Sequence, residues 1–286
     1  MIARLLVIPL CFLLMAAAQS PREAASALKE KHAELREALE NNAFGSPVHL
    51  VSREGPDSIS GEVYAVIAKP FAQAMQAMEH PADWCEIMFL HLNTKYCRAS
   101  EGVPTVLDVA IGIKSDQPVE KAYRMRLIFG IEARSKDYMR VTMTAAEGPL
   151  STRNYNIVFE AAPLDDGRSF VHFSYSYGYG TASKLAAEIY LGTVARQKVG
   201  FTVAGRTAGG EPVYVRGMRG AVERNTMRYY LAIESYLGAL GTPPQQRLEK
   251  SLRDWFAAIE RFPRQLHELG QEEYLTMKRR EYARQS

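Results

Sequence analysis

An α+β fold, with one curved antiparallel sheet closed by helices, is what the sequence predicts, and three observations predict it. Six segments between His91 and Gly180 alternate apolar and polar side chains with a period of two, the mark of strands with one buried face. Two short helix-like pieces, 71–78 and 81–90, separate them from an earlier β-branched strand, 62–68. Beyond Gly180 the apolar spacing lengthens to about four residues, as on an amphipathic helix.

The chain opens with one cation, Arg4, an apolar run from Leu5 to Ala18 and the small residues Ala16-Ala17-Ala18. That is the pattern of a secretory signal peptide over 1–18, cut before Gln19, with an uncleaved anchor as the alternative. A periplasmic protein is expected. Cys11 lies inside the apolar run with no small-residue lipobox before it, which argues against lipidation. Loss of Arg4 leaves 34 cations against 32 acids, a balance that gives no reason to expect a nucleic-acid partner. The remaining cysteines, Cys85 and Cys97, are an even count for an oxidising compartment, so a disulfide is favoured over two buried thiols. No metal is expected, because no second cysteine pair or histidine pair accompanies them.

Residues 19–60 read as a helical arm and loop. Ser20-Pro21-Arg22-Glu23 is a capping box with proline at the first helical position, and Ala24, Leu28, Leu35 and Leu39 form a thin apolar stripe suited to docking. An extended piece at 48–51 and a turn at Glu54-Gly55-Pro56-Asp57 follow. The core, 61–204, begins with the strand at 62–68, stopped by Lys69-Pro70. Pro81 opens the second short helix, which carries Trp84, Ile87, Met88 and Leu90 for packing.

The six later strands run over 91–98, 105–114, 122–133, 138–145, 153–161 and 169–180. One parity in them collects Leu107, Val109, Ile111 and Ile113; Tyr123, Met125, Leu127, Phe129 and Ile131; Met139, Val141 and Met143; Tyr155, Ile157, Phe159 and Ala161. In the last strand Val171, Phe173, Tyr175, Tyr177 and Tyr179 share a face, opposite His172, Ser174 and Ser176. Turns at Ser135-Lys136-Asp137 and Asp165-Asp166-Gly167 are short enough for hairpins. A helix is predicted over 181–199 with Leu185, Ile189 and Val194 facing in, then a glycine-rich break over 204–212. The region 205–286 is expected to be helical and to pack on the core, with its most regular helix over 217–240 and further helices over 248–262 and 264–280.

One strand, two short helices, six strands and a long helix is also the order in the START and polyketide-cyclase-like (SRPBCC) superfamily, which residues 62–203 resemble. The whole sequence further resembles exported proteobacterial proteins. The superfamily resemblance implies a helix-grip fold, in which a bent sheet wraps a long helix and leaves a tunnel for lipids, sterols or other apolar molecules. The arm before Glu62 and the helices after Gly205 depart from that pattern, so two helices compete for the groove, the one following the last strand and the one starting at Gly217.

The ligand-binding set expected on this basis is Trp84, Met88, His91, Met125, Phe129, Met143, Tyr155, Phe159, Phe173, Tyr175, Tyr177 and Tyr229. To it the arginine-rich segment 216–230 adds Arg224 and Arg228, whose forks match carboxylate or phosphate on a ligand or a membrane surface. An exposed helix face with local ion pairs is the plainer reading of that segment. No serine stands in a nucleophile-elbow setting, Gly178-Tyr179-Gly180 lacks the third glycine of a phosphate loop, and Asp165-Asp166 suits a turn. No catalytic residue and no cofactor are therefore expected. His172 is expected on the wet face, and His91 at the end of the tunnel as a donor to a ligand head group, with a satisfied structural histidine as the plainer reading. Non-catalytic binding or transport of a lipid or other amphipathic small molecule is the leading function, with transient membrane contact. A cyclase- or hydratase-type enzyme on the same scaffold and an interaction module with a filled core remain as alternatives.

Overall fold

The computed structural model describes residues 20–193 and 195–285. The expected signal peptide, Cys11 and Val194 lie outside the described residues. Helices α1 (Pro21–Glu34) and α2 (Arg36–Glu40) precede strands β1 (Val48–Glu54) and β2 (Ser58–Ile67). Helices α3 (Phe71–Met78) and α4 (Pro81–Phe89) lead into six strands: β3 (Thr94–Ala99), β4 (Val106–Ile111), β5 (Tyr123–Arg134), β6 (Met139–Glu147), β7 (Arg153–Pro163) and β8 (Ser169–Gly178). After α5 (Thr181–Gly192) come the small hairpin β9 (Val203–Arg206) and β10 (Pro212–Tyr214) and the helices α6 (Gly217–Ala239), α7 (Pro244–Glu260), α8 (Pro263–Leu266) and α9 (Gln271–Ala283).

The main sheet has the order β1-β2-β8-β7-β6-β5-β4-β3, with every neighbouring pair antiparallel. Its apolar parity faces one core, in which Leu107, Val109, Leu127, Val141, Met143, Phe159 and Phe173 are buried with Met227, Leu231 and Ile233 of α6. Each such aliphatic or aromatic side chain contributes about 1.5–3 kcal/mol when fully buried. This is the helix-grip arrangement.

The gripped helix is α6, which packs on β1, β2, β8 and α4. Gly61 lets it come close: a Cβ there would lie 2.2 Å from Thr226 Oγ1 of α6. Helix α5, by contrast, leaves Leu185 and Ile189 each 58% exposed, so the inward orientation expected for them is corrected. Apolar spacing identified the helix but could not say whether a neighbour covers its apolar side.

Three further elements differ from expectation. The extended piece near Val48 is a full edge strand, paired from Val48↔Ala65 to Glu54↔Ile59. The glycine-rich break is a hairpin, and the last predicted helix is split, with α8 ending before Gly270 and α9 starting after it. Ile113 and Ile131 sit at 60% and 42% exposure, past the ends of the buried face. Helix α1 carries the expected capping box, with the Ser20 side chain accepting from Glu23 N. Its Ala25 and Leu28 cover Val66, Tyr138 and Phe170 on the outer face of the sheet.

Candidate functional site

Between the sheet and α6 lies a cavity of about 220 Å³. Strands β4, β5 and β7 supply aliphatic walls through Val109, Ile111, Met125, Leu127 and Ile157, and α4 adds Met88. One side is phenolic: Tyr155 of β7, Tyr175 and Tyr177 of β8 and Tyr229 of α6. The period of two places Tyr175 and Tyr177 on the same face, and the β7–β8 register sets Ile157 opposite Tyr175.

These rings form a connected set. Tyr155 stacks on Tyr177 at 5.2 Å and 15° between planes, and Tyr175 lies 5.7 Å from both Tyr177 and Tyr229. Offset or tilted aromatic pairs of this kind contribute about 0.5–1.5 kcal/mol beyond their buried area. The absence of a side chain at Gly148 makes room for Tyr155, since a Cβ there would be 2.2 Å from the ring. The Tyr155 hydroxyl is 2.7 Å from Thr152 Oγ1. Burial holds the phenols of Tyr155, Tyr175, Tyr177 and Tyr229 above the usual tyrosine range, so all four are neutral hydroxyls that can donate or accept.

The rim comes from the β6–β7 turn, where Pro149, Leu150 and Thr152 line the cavity. Leu150 is 85% exposed and holds φ 58°, as does Ser151. A left-handed backbone at two non-glycine residues costs of order 1–3 kcal/mol each and persists only where neighbours hold it. Here Thr152 Oγ1 donates back to the Pro149 carbonyl.

His91 stands at the buried end, 3% exposed, with its ring stacked 4.7 Å from Tyr229. The backbone N–H of Asn93 donates to His91 Nδ1 at 3.1 Å, so the ring's own proton resides on Nε2. Nε2 has no hydrogen-bond partner among the described residues. Burial, then the charges of Arg228, Lys114, Lys278 and Lys95, hold the ring well below the usual histidine range. His91 is therefore neutral and presents only a donor.

Of the expected ligand-binding residues, Met88, His91, Met125, Tyr155, Tyr175, Tyr177 and Tyr229 line this cavity. Trp84, Met143 and Phe173 surround a void of about 10 Å³ beside it, and share Met88, Ile157 and Tyr229 with the larger one. Phe129 and Phe159 are core, at 9% and 0% exposure, and line neither. Asn93, Thr152 and Asn225 also line the cavity. They carry no apolar signal, and only knowledge of the turn and of the helix orientation reveals them.

Arg224 and Arg228 require correction. They are 6% and 2% exposed, so they form no surface patch, and neither lines the cavity. Arg224 Nη1 donates to the Val199 carbonyl at 3.2 Å, and Arg228 Nη2 reaches Glu268 at 2.8 Å. A helix packed on all sides by the sheet, α5, α7 and α8 turns its arginines into internal staples. His172 is on the face opposite the cavity, as its parity requires. It is not a free surface residue, because its Nδ1 lies 2.8 Å from Glu160 and its Nε2 3.3 Å from Glu62.

No protein-family model matches the chain, and no curated protein sequence does. Among solved structures, a conserved protein from Geobacillus kaustophilus is 11% identical over 63% of this chain and 95% of its own, with a TM-score of 0.37. Truncated norcoclaurine synthase from Thalictrum flavum is 17% identical over 51% and 88%, with a TM-score of 0.33. Human StAR-related lipid transfer protein 5 is 10% identical over 55% and 82%, with a TM-score of 0.30. These are distant likenesses of fold, and the site stands on its own residues.

Proposed function

We propose that the protein binds a small amphipathic molecule in the cavity under α6, in the periplasm and without chemical conversion. One observation carries this reading: a void of about 220 Å³ persists behind four neutral tyrosines in an otherwise close-packed core. An apolar cavity of about 150 Å³ takes benzene, so this one has room for roughly one substituted ring or a short acyl chain. A diacyl lipid is far too large for it, which narrows the expected ligand class. The lining holds no acidic side chain, and the lone pair of His91 Nδ1 is already engaged by Asn93. That arrangement favours holding a ligand over abstracting its proton. The Cys85–Cys97 disulfide, which joins α4 to β3, suits an oxidising compartment.

Organic extraction and mass spectrometry of wild type, Tyr177→Ala and Ser176→Ala test the reading. Tyr177 lines the cavity, whereas Ser176 lies on the other face with its hydroxyl on the Asn156 carbonyl. The expected outcome is a small molecule recovered from wild type and Ser176→Ala and depleted in Tyr177→Ala, with only a modest loss of stability. A bare wild type together with a Tyr177→Ala variant destabilised by several kcal/mol, as truncation in a dry core gives, would refute it.

A further inference from the structure

The buried end of the cavity differs in charge from its walls, and this inference deepens the binding reading on which it rests. Two clusters of ion pairs stand near His91. In one, Arg228, Lys114 and Lys198 converge on the single carboxylate of Glu268 at 2.8, 2.5 and 3.2 Å. In the other, Lys95 and Lys278 each reach Glu281 at 2.8 Å. Five cations thus share two carboxylates, an excess of three positive charges. Lys114 and Lys198 have side chains 37% and 32% exposed, so water screens part of that excess. The buried members alone, Arg228, Lys95 and Lys278 against Glu268 and Glu281, still leave a net positive charge.

His91 lines the cavity within the field of Arg228, Lys114, Lys278 and Lys95, and its neutral ring offers Nε2–H with no partner among the described residues. A buried donor left unpaired is costly, and a ligand acceptor placed on it removes that cost. Arg228 Nε is likewise buried without a partner. The phenolic wall adds the neutral hydroxyl of Tyr177, which can donate to an acceptor on the ligand. Nothing acidic lines the cavity to repel an anion. Lining donors and a positive field behind them select the same end group, and the stacked tyrosines and the volume select the rest of the molecule.

We infer that the cavity selects a small single-ring carboxylate, seated with its ring among Tyr155, Tyr175, Tyr177 and Tyr229 and its carboxylate toward His91. An ammonium-ended ring of the same size, seated the same way, brings its charge to the His91 N–H and the positive field near it and is rejected. A neutral alcohol falls between, since it accepts one hydrogen bond and gains little from the field.

Calorimetric titration with benzoate, benzyl alcohol, benzylamine and acetate at neutral pH tests this on the purified protein. Benzoate is expected to bind at least about tenfold more tightly than benzylamine, the factor that a 1.4 kcal/mol difference gives, with benzyl alcohol between them and acetate weaker than benzoate. His91→Leu should remove the preference of benzoate over benzyl alcohol, and His91→Gln, which keeps an N–H, should restore part of it. If His91→Leu does not fold, the wild-type series and His91→Gln still decide. Equal binding of the three rings overturns the carboxylate preference and leaves cavity binding standing. Acetate binding as tightly as benzoate places the anion on surface lysines and also overturns it. Binding of none of the rings overturns both this inference and the cavity reading.

Discussion

His172 lies on the outer face of the sheet, its ring stacked 4.4 Å from Tyr64 and flanked by Glu160 and Glu62. Burial opposes its charge, but the hydrogen bond with Glu160 and then the contact with Glu62 outweigh it and raise its pKa. The ring in turn lowers Glu62 to about 2, and Glu160 is also brought down to about 2 against its own burial. The raised histidine adds stability that is complete below its unfolded value of about 6.5 and fades as pH climbs through its folded value. The lowered carboxylates add stability that is complete above about 4.5 and is lost on acidification towards 2. The cluster should therefore stabilise most between about pH 4.5 and 6.5. Melting curves of wild type and His172→Gln across pH 5–8.5 should show their largest difference at the acid end. A difference that grows with pH would refute the ion-paired ring. Strand parity put His172 on this face correctly. Of its two acidic neighbours, Glu160 comes from β7, which the Asp165-Asp166-Gly167 hairpin turn already places beside β8, whereas Glu62 comes from β2, which no local pattern brings there.

At the scale of elements, α6 depends on one missing side chain. Gly61→Val should force β2 and α6 apart at Thr226 and lower stability by roughly 1–3 kcal/mol, the usual cost of overpacking, whereas Gly45→Ala, where nothing lies within 4 Å, tests only the strain of a positive φ. A denaturant midpoint unchanged in Gly61→Val would contradict the close approach. Helix α9 is latched instead by charge. Glu281, fully buried, takes Lys95 and Lys278, whose own amine is lowered to about 8 chiefly by burial. Glu281→Ala leaves two buried ammonium groups without their carboxylate and should cost about 3–5 kcal/mol, against almost nothing for the exposed Glu273→Ala. Equal unfolding midpoints for the two variants would show that the latch is dispensable. Both helices were visible in the sequence as helices. The choice of α6 over α5 for the groove was not, because their apolar residues are equally spaced and only tertiary packing separates Ile233 at 1% exposure from Ile189 at 58%.

For the whole molecule, the sheet was legible because alternation is a local property repeated in each strand, and the tyrosine wall followed from it. The cavity's size, its rim at Leu150 and the ion-pair clusters near His91 were not legible, since each depends on which distant segments meet. Lys95 and Glu281, for instance, lie at opposite ends of the core region and its helical extension, yet pair at 2.8 Å. The Cys85–Cys97 bridge closes a short loop, and the double substitution to alanine should cost very roughly 3 kcal/mol by the chain-entropy estimate, readable as a lower urea midpoint. Among the described residues no helix is long and apolar enough to cross a membrane. Binding in the cavity is tested most directly by a crystal structure of the protein purified from its native source. Continuous density for a one-ring or short-chain molecule is expected between Tyr155, Tyr177, Tyr229 and His91. A cavity closed by repacked tyrosines, or filled by ordered water alone, would contradict it.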